Sequence, residues 1–218
     1  MKKEKVSNAV IRRLPRYYRT LYLLEQEGYE RISSSALGSS MGITASQIRQ
    51  DLSCFGEFGK QGYGYEIAGL LREIADILGM NNHYSAIILG AGNLGRALIR
   101  NFSFSSNGFT LRAAFDVDPA LIGSTIGEVP VYALEALPAY MAAHSIQVGV
   151  LTVPRNVAQP MAEKLIDGGV KGIWNFTNTE LDVRGSGVTV ESVHFADSLL
   201  ALGYLISDNP KDAEPQNA

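Results

Sequence analysis

The 218-residue chain carries one cysteine, one tryptophan and three histidines, and each scarcity narrows what it can be. Cys54 has no second cysteine to pair with, so an internal disulfide is excluded and a reducing compartment fits. With no His or Asp placed beside it, Cys54 reads as a small packing residue rather than a nucleophile. His83, His144 and His194 lie far apart, in no recognisable catalytic setting, and no metal site is expected. The apolar runs are far too short to span a bilayer, so no membrane is expected as a partner. The basic amino-terminal stretch lacks the apolar segment of a secretory signal, and the expected location is cytoplasmic. Internal repeats are absent. A strong excess of positive charge is missing too: the net charge is −3, which by itself argues against a nucleic-acid binder.

The distribution of charge qualifies that last exclusion. Residues 1–80 hold 11 Lys and Arg against 9 Asp and Glu, and residues 81–218 hold 8 against 13. Within the first 19 residues the ratio is 7 basic to 1 acidic. A basic arm on an acidic body points to an anionic partner at one end only.

The most informative stretch is Gly90-Ala91-Gly92-Asn93-Leu94-Gly95. An apolar run, 85–89, precedes it and reads as a buried strand. Residues 93–104, with Leu94, Ala97, Leu98, Ile99 and Phe102, read as a helix, and a second apolar run, 111–115, ends in Asp116. Strand, glycine turn, helix, strand and terminal acid form the dinucleotide fingerprint of a Rossmann fold. Gly90 permits the tight turn, Gly92 lets a pyrophosphate approach the backbone, and Gly95 lets the helix pack on the strand. The helix N-terminus offers amides and a positive dipole end to the phosphates. Asp116 lies 21 residues after Gly95, where the ribose-binding acid is expected, and its carboxylate favours NAD(H) over a 2′-phosphorylated cofactor.

The first 80 residues read differently. A helix is expected over 10–27, interrupted early by Pro15, with Arg12, Arg13, Arg16 and Arg19 in its first half and Gly28 at its end. Ser33, Ser34 and Ser35 are N-cap candidates for a short helix over 36–41. Gly42 supplies a turn, and Thr44 caps a second helix over 45–53 with Ile48 and Leu52 inward. This is a helix-turn-helix. Its second helix presents Ser46, Gln47, Arg49 and Gln50, side chains that can bond base edges and phosphates. Residues 54–65 hold four glycines and four aromatics and read as a β-hairpin wing with Lys60 and Gln61 at its tip. Arg13, Arg16, Ser34, Gly62 and Tyr63 complete the expected DNA-contacting set. A further helix is expected over 67–78.

Beyond Asp116, strands and helices alternate, so the sheet should be mostly parallel. Residues 122–123 and 129–131 read as a short crossover and strand, 134–144 as a helix, 148–153 as a strand, 157–166 as a helix, and 172–176 and 188–190 as strands. Ligands in such sheets bind at the carboxyl ends of strands. That puts Thr152, Val153, Pro154, Asn175, Phe176 and Thr177 near the nicotinamide half of a dinucleotide. Residues 198–206 form an apolar final helix. The fold class is α/β. A winged helix-turn-helix domain spans 1–80, and a doubly wound Rossmann domain with its C-terminal helix spans 81–206. A polar tail, 207–218, is expected to be disordered.

An NAD-dependent oxidoreductase needs a positioned acid or base beside the nicotinamide and a substrate domain, and no stretch is left for either. A bare nucleotide-binding module would have no use for a basic winged helix. NAD(H) thus reads as a signal, and the chain as a non-enzyme. In this order, the stretches Arg12-Arg13-Leu14-Pro15-Arg16-Tyr17-Tyr18-Arg19, Ile48-Arg49-Gln50-Asp51-Leu52, residues 55–65, Gly90 to Gly95, Phe115-Asp116, Leu151-Thr152-Val153-Pro154 and Asn175-Phe176-Thr177 resemble the Rex family of redox-sensing transcriptional repressors, over roughly residues 8–206. The resemblance implies a homodimer whose C-terminal helix crosses onto the partner. It also implies binding to palindromic operator DNA and release when NADH replaces NAD. Relatives carry a Tyr and an Asp that couple nicotinamide state to the winged helix, the Asp by pairing with an Arg. The matching positions here hold Asn101 and His194, which implies either a weakened redox response or a switch that other contacts carry, with the two substitutions neutral.

Overall fold

A computed structural model describes residues 6–56 and 63–207. The chain divides into two compact units, Met1–Asn82 and His83–Ala218.

In the first unit, Ser7 caps helix α1 (Asn8–Gln26) by accepting from the Val10 N–H. The helix runs through Pro15 without interruption, contrary to the sequence expectation. Proline removes one helical donor, but Val10, Leu14, Tyr17 and Leu21 form a buried stripe on both sides of it. That apolar face outweighs one lost bond, because tertiary packing supplies most helix stability. Strand β1 (Arg31–Ile32) leads to α2 (Ser34–Met41), capped by Ser33, and α3 (Ala45–Ser53), capped by Thr44. Gly42, at φ +66°, closes α2 in the left-handed conformation that favours glycine. Gly38 lets the turn fold close: a Cβ there would stand 2.6 Å from the Ile43 carbonyl oxygen.

Strand β2 (Tyr65–Glu66) pairs antiparallel with β1. Of the expected hairpin, Cys54–Gly56 is turn and coil rather than a strand partner for β2. β2 is bonded to Arg31–Ile32, and residues 57–62 of the expected hairpin lie outside the described residues. Cys54 is exposed, not packed. Helix α4 (Ile67–Ile77) closes a core of Leu14, Tyr17, Leu21, Leu37, Met41, Ile48, Leu52, Leu70 and Ile74.

The second unit contains β3 (Tyr84–Leu89), α5 (Asn93–Asn101), β4 (Phe109–Asp116), β5 (Thr125–Ile126), β6 (Val129–Ala133), α6 (Leu137–Ala143), β7 (Val148–Leu151), α7 (Ala158–Asp167), β8 (Gly172–Asn175), β9 (Thr189–Ser192) and α8 (Phe195–Ser207). The sheet order is β5-β6-β4-β3-β7-β8-β9. Every neighbouring pair is parallel except β5–β6, a tight hairpin through Gly127 (φ +59°) that the sequence reading missed.

Alternating residues of the central strands feed two cores. Ile87, Leu89, Phe115, Leu151 and Ile173 meet Leu137, Met141, Met161 and Leu165 of α6 and α7. Ile88, Ala114, Val131 and Val150 meet Leu98 and Ile99 of α5. Phe102, Phe104, Trp174 and Phe176 continue that second face as an aromatic cluster, with Phe102–Trp174 centroids 5.2 Å and Trp174–Phe176 centroids 4.6 Å apart. Helix α8 buries none of its residues: Phe195, Leu199, Leu200, Leu202, Tyr204, Leu205 and Ile206 are all more than half exposed.

Candidate nucleotide and DNA sites

Strand register assembles the first site. Leu89 pairs with Phe115 on one side and Leu151 on the other, and Leu151 pairs with Asn175. The next residue of each strand, Gly90, Asp116, Thr152 and Phe176, therefore falls on one sheet edge. The strand order reverses at β3, which makes this edge the topological switch point where open parallel sheets bind ligands.

The three glycines differ in what surrounds them. Gly90 has φ +97°, and a Cβ there would lie 2.9 Å from the Thr152 carbonyl carbon and oxygen. A Cβ on Gly95 would lie 1.9 Å from the Gly90 carbonyl oxygen, so helix and turn touch at that point. A Cβ on Gly92 would meet nothing within 4 Å: the space in front of it is open. The first helical bond of α5 runs from the Arg96 N–H to the Gly92 carbonyl at 2.9 Å. The amides of Asn93, Leu94 and Gly95 precede it, at the positive end of the helix dipole.

Asp116 braces this turn. Its Oδ2 accepts from the Ala91 N–H at 2.5 Å, and its Oδ1 accepts from the amides of Val117 and Asp118 at 2.7 and 2.9 Å. The carboxylate is thus fixed beside the fingerprint and only half-buried. The Thr152 hydroxyl is shared between the carbonyls of Gly90, at 2.6 Å, and Leu89, at 3.0 Å, tying the end of β7 to the glycine turn.

Asn175 and Thr177 are buried and internally satisfied. Asn175 Nδ2 donates to the Thr179 carbonyl and Ser192 Oγ, and its Oδ1 accepts from the amide and hydroxyl of Thr177. Their side chains shape the loop after β8 instead of pointing free groups at a ligand. Val153 packs toward the α6–α7 core, Pro154 is exposed, and Phe176 meets Trp174 edge-on. Asn101 is exposed. His194 Nδ1 lies 2.9 Å from Asn178 Oδ1, and its Nε2 lies 3.6 Å from Glu180. His144 stacks on Tyr140 at 4.1 Å. Among the described residues, no His, Cys, Asp and Glu cluster could hold a metal, and no helix is long and apolar enough to cross a membrane.

In the first unit, Ser46, Arg49 and Gln50 are exposed on α3. Arg49 Nη1 donates to Ser34 Oγ at 2.9 Å, which joins two of the expected DNA contacts across the helix-turn-helix. Tyr63 is 74% exposed. Lys60, Gln61 and Gly62 lie outside the described residues.

Arg13 is half-buried and Arg16 exposed, and both are engaged by neighbouring elements. Arg16 donates to the Met41 carbonyl. Arg13 grips Asp51 with Nε on Oδ2 at 2.6 Å and Nη2 on Oδ1 at 2.8 Å.

Asp51 is the residue that sequence reasoning missed. It is fully buried and also accepts from Tyr17 Oη at 2.7 Å and Gln47 Nε2 at 2.7 Å. Burial alone would raise its carboxyl, but the bonds from Arg13, Tyr17 and Gln47 overcome that and hold it below the usual carboxylate range. Burial and the bond to Asp51 push the Tyr17 phenol up. The signal was present: Asp51 follows Ile48 by three positions on the inward stripe of α3, and a charge there needs a partner.

Two family models match the chain: residues 81–179 match the CoA binding domain, and residues 5–53 match the putative DNA-binding protein N-terminus. The redox-sensing transcriptional repressor Rex of Clostridium botulinum is 48% identical over 206 residues, covering 94% of this chain and 98% of the relative. The chain belongs to the Rex family. The Rex repressor of Clostridium perfringens is 44% identical over 95% of this chain and 98% of its own. Among solved structures, the Rex-family repressor RSP in complex with β-NAD+ and operator DNA matches with a TM-score of 0.87 at 45% identity, covering 94% of each chain. RSP in complex with β-NADH matches with a TM-score of 0.87 at 42% identity, covering 94% of this chain and 96% of RSP. Rex-family architecture, a DNA-binding unit followed by a mostly parallel nucleotide-binding sheet and a C-terminal helix, thus extends over nearly the whole chain.

Proposed function

We propose that this chain is a cytoplasmic, non-enzymatic transcriptional repressor that senses the NADH/NAD ratio. It binds palindromic operator DNA as a homodimer with NAD or no ligand, and NADH releases it. One observation carries the reading: a helix-turn-helix unit shares a chain with an edge where Gly92 stands open, Gly95 is closed and Asp116 is fixed. The pyrophosphate lies against Gly90, Ala91, Gly92, Asn93, Leu94 and Gly95, and the adenosine ribose bonds Asp116. The nicotinamide half lies toward Thr152, Val153, Pro154 and Phe176, beside the loop that Asn175 and Thr177 shape.

Coenzyme A, named by the matching family model, carries a 3′-phosphate on its ribose, and the Asp116 carboxylate disfavours that charge. Ser46, Arg49 and Gln50, exposed on α3, enter the major groove, together with the outer end of half-buried Gln47. Arg16 adds positive potential from α1, Arg13, whose charge Asp51 offsets, contributes its remaining N–H donors to a phosphate, and Lys60, Gln61, Gly62 and Tyr63 supply the wing contact.

Helix α8 supplies the dimer contact. Fully burying a Leu or Phe side chain is worth roughly 1.5–3 kcal/mol, so its seven exposed large apolar side chains favour a second copy over water. By the resemblance, Asn101 and His194 take the places of the family's Tyr and Asp; a weaker response to NADH is one consequence, and a full response carried by other contacts is the other outcome that the assay below distinguishes. The test is a mobility shift of the selected palindromic duplex with NAD and with NADH. Complexes that persist with NAD and dissociate with NADH support the reading. Absence of any DNA complex refutes it, and turnover of NADH with a substrate would make the chain an oxidoreductase.

A further inference from the structure

Gln47 stands half-buried on α3 beside the exposed Ser46 and Gln50, and its side chain is not free. Gln47 Nε2 is held 2.7 Å from Asp51 Oδ1. The same oxygen accepts from Arg13 Nη2 at 2.8 Å, while Oδ2 accepts from Arg13 Nε at 2.6 Å and Tyr17 Oη at 2.7 Å. Four donors from α1 and α3 converge on one carboxylate with no exposed surface.

The chemistry of that carboxylate decides how Gln47 points. A glutamine amide has a donor end and an acceptor end and can turn over freely in water. An ionised carboxylate only accepts, so the acceptor end of Gln47 cannot face it without setting two oxygens against each other. The amide is therefore locked with Nε2 inward. Oε1 and the second N–H of Nε2 are the atoms left for a base edge. Gln recognises a base by offering donor and acceptor side by side, so the orientation of the amide fixes which hydrogen-bond pattern is accepted.

We propose that Asp51 is a positioning residue for sequence readout: from a fully buried site it fixes the donor–acceptor polarity of Gln47 and so determines the base pair accepted opposite that side chain. This rests on the DNA-binding reading above. A carboxylate that merely clamped α3 on α1 would, when lost, weaken binding to every duplex in step with the folded fraction. A positioning carboxylate acts at one base pair.

The test is selection of binding sites from a random duplex pool by the full-length wild type and by Asp51→Asn, Gln47→Ala and the double variant, with NADH affinity and thermal unfolding measured on each. In Asp51→Asn the introduced amide offers an N–H of its own beside its carbonyl oxygen, so the Gln47 amide can turn either way. Asp51→Asn and Gln47→Ala should relax the preference at the same base pair of each half-site, by about tenfold, and leave NADH affinity unchanged. The double variant should relax it no further. Should Asp51→Asn fail to fold, the Arg13→Met, Tyr17→Phe, Asp51→Leu triple variant replaces the network by apolar groups of similar volume. It should show the same relaxation on top of a uniform loss from Arg13. Asp51→Asn that keeps full preference where Gln47→Ala loses it, equal relaxation at all positions, or Gln47→Ala that relaxes none would each overturn the inference. A wild type that enriches no duplex overturns the DNA-binding reading itself, and the inference with it.

Discussion

Gly92 and Gly95 belong to one motif, yet substituting alanine at each should fail in opposite ways. At Gly95 the new methyl would stand 1.9 Å from the Gly90 carbonyl oxygen and 3.0 Å from the Gly90 carbonyl carbon. Both are backbone atoms, and the Gly90 carbonyl is also held by Thr152 at 2.6 Å, so α5 or the glycine turn has to shift by more than an ångström. Overpacking of this kind costs about 1–3 kcal/mol. In a chain of this size that lowers the melting temperature by roughly 2–12 °C. At Gly92 the methyl meets nothing within 4 Å, and φ −66° with ψ −160° is open to any residue. Stability should change by less than about 1 kcal/mol. The methyl instead occupies the approach to the α5 amides. Losing two charge-assisted bonds to a pyrophosphate, at roughly 1.5 kcal/mol each, weakens the nucleotide by about a hundredfold. Thermal unfolding without ligand and NADH titration by fluorescence separate the two outcomes. Gly92→Ala that binds NADH as the wild type does, or Gly95→Ala that melts within a degree of it, would refute the reasoning.

Asp116→Ala should weaken NADH binding and narrow the preference for NADH over NADPH, because the carboxylate no longer repels a 2′-phosphate; calorimetric titration of both nucleotides reads the ratio, and an unchanged ratio would move the ribose contact elsewhere, Asp118 being the nearest acid. Leu199→Glu with Leu205→Glu on α8, both more than 60% exposed, should shift sedimentation toward monomer while NADH still binds; an unchanged dimer would move the interface off this helix. The Asp51 carboxyl is held below its ordinary value, so its contribution is fully present above the unfolded-state value, about 3.9, and is lost as pH falls through the depressed one. Acid unfolding of Asp51→Asn should therefore depend less steeply on pH below about 4 than that of the wild type, and an equal slope would mean the carboxylate is not held ionised.

What the sequence revealed was local. The fingerprint needs only a buried run, three glycines at fixed spacing and an acid at the end of the next strand, and all lie within Tyr84–Asp116. The caps Ser33 and Thr44 and the turn at Gly42 sit beside the helices they start or end. What stayed hidden depends on partners distant in sequence. The edge Tyr65–Glu66 pairs with Arg31–Ile32, more than thirty residues earlier, and no pattern within the aromatic-glycine stretch announces that. Arg13 looks like a free basic side chain until α1 and α3 are packed together and Asp51 comes within reach. The hairpin β5–β6 was legible in principle, since Gly127 and Glu128 form a two-residue turn between β-rich pairs. Asn175 and Thr177 were placed at the right sheet edge, but only the structure reveals that they bond each other.

Trp174 is the only tryptophan in the chain, and it stands on β8 one residue before the strand end at the proposed ligand edge. Its half-buried ring packs against Phe102 and Phe176. Indole emission overlaps the absorption of a reduced nicotinamide and not that of an oxidised one. If the nucleotide binds at the proposed edge, Trp174 is an optical donor beside it. Energy transfer from Trp174 should then distinguish bound NADH from bound NAD in unlabelled protein, in the same cuvette and at the same moment as DNA release is followed.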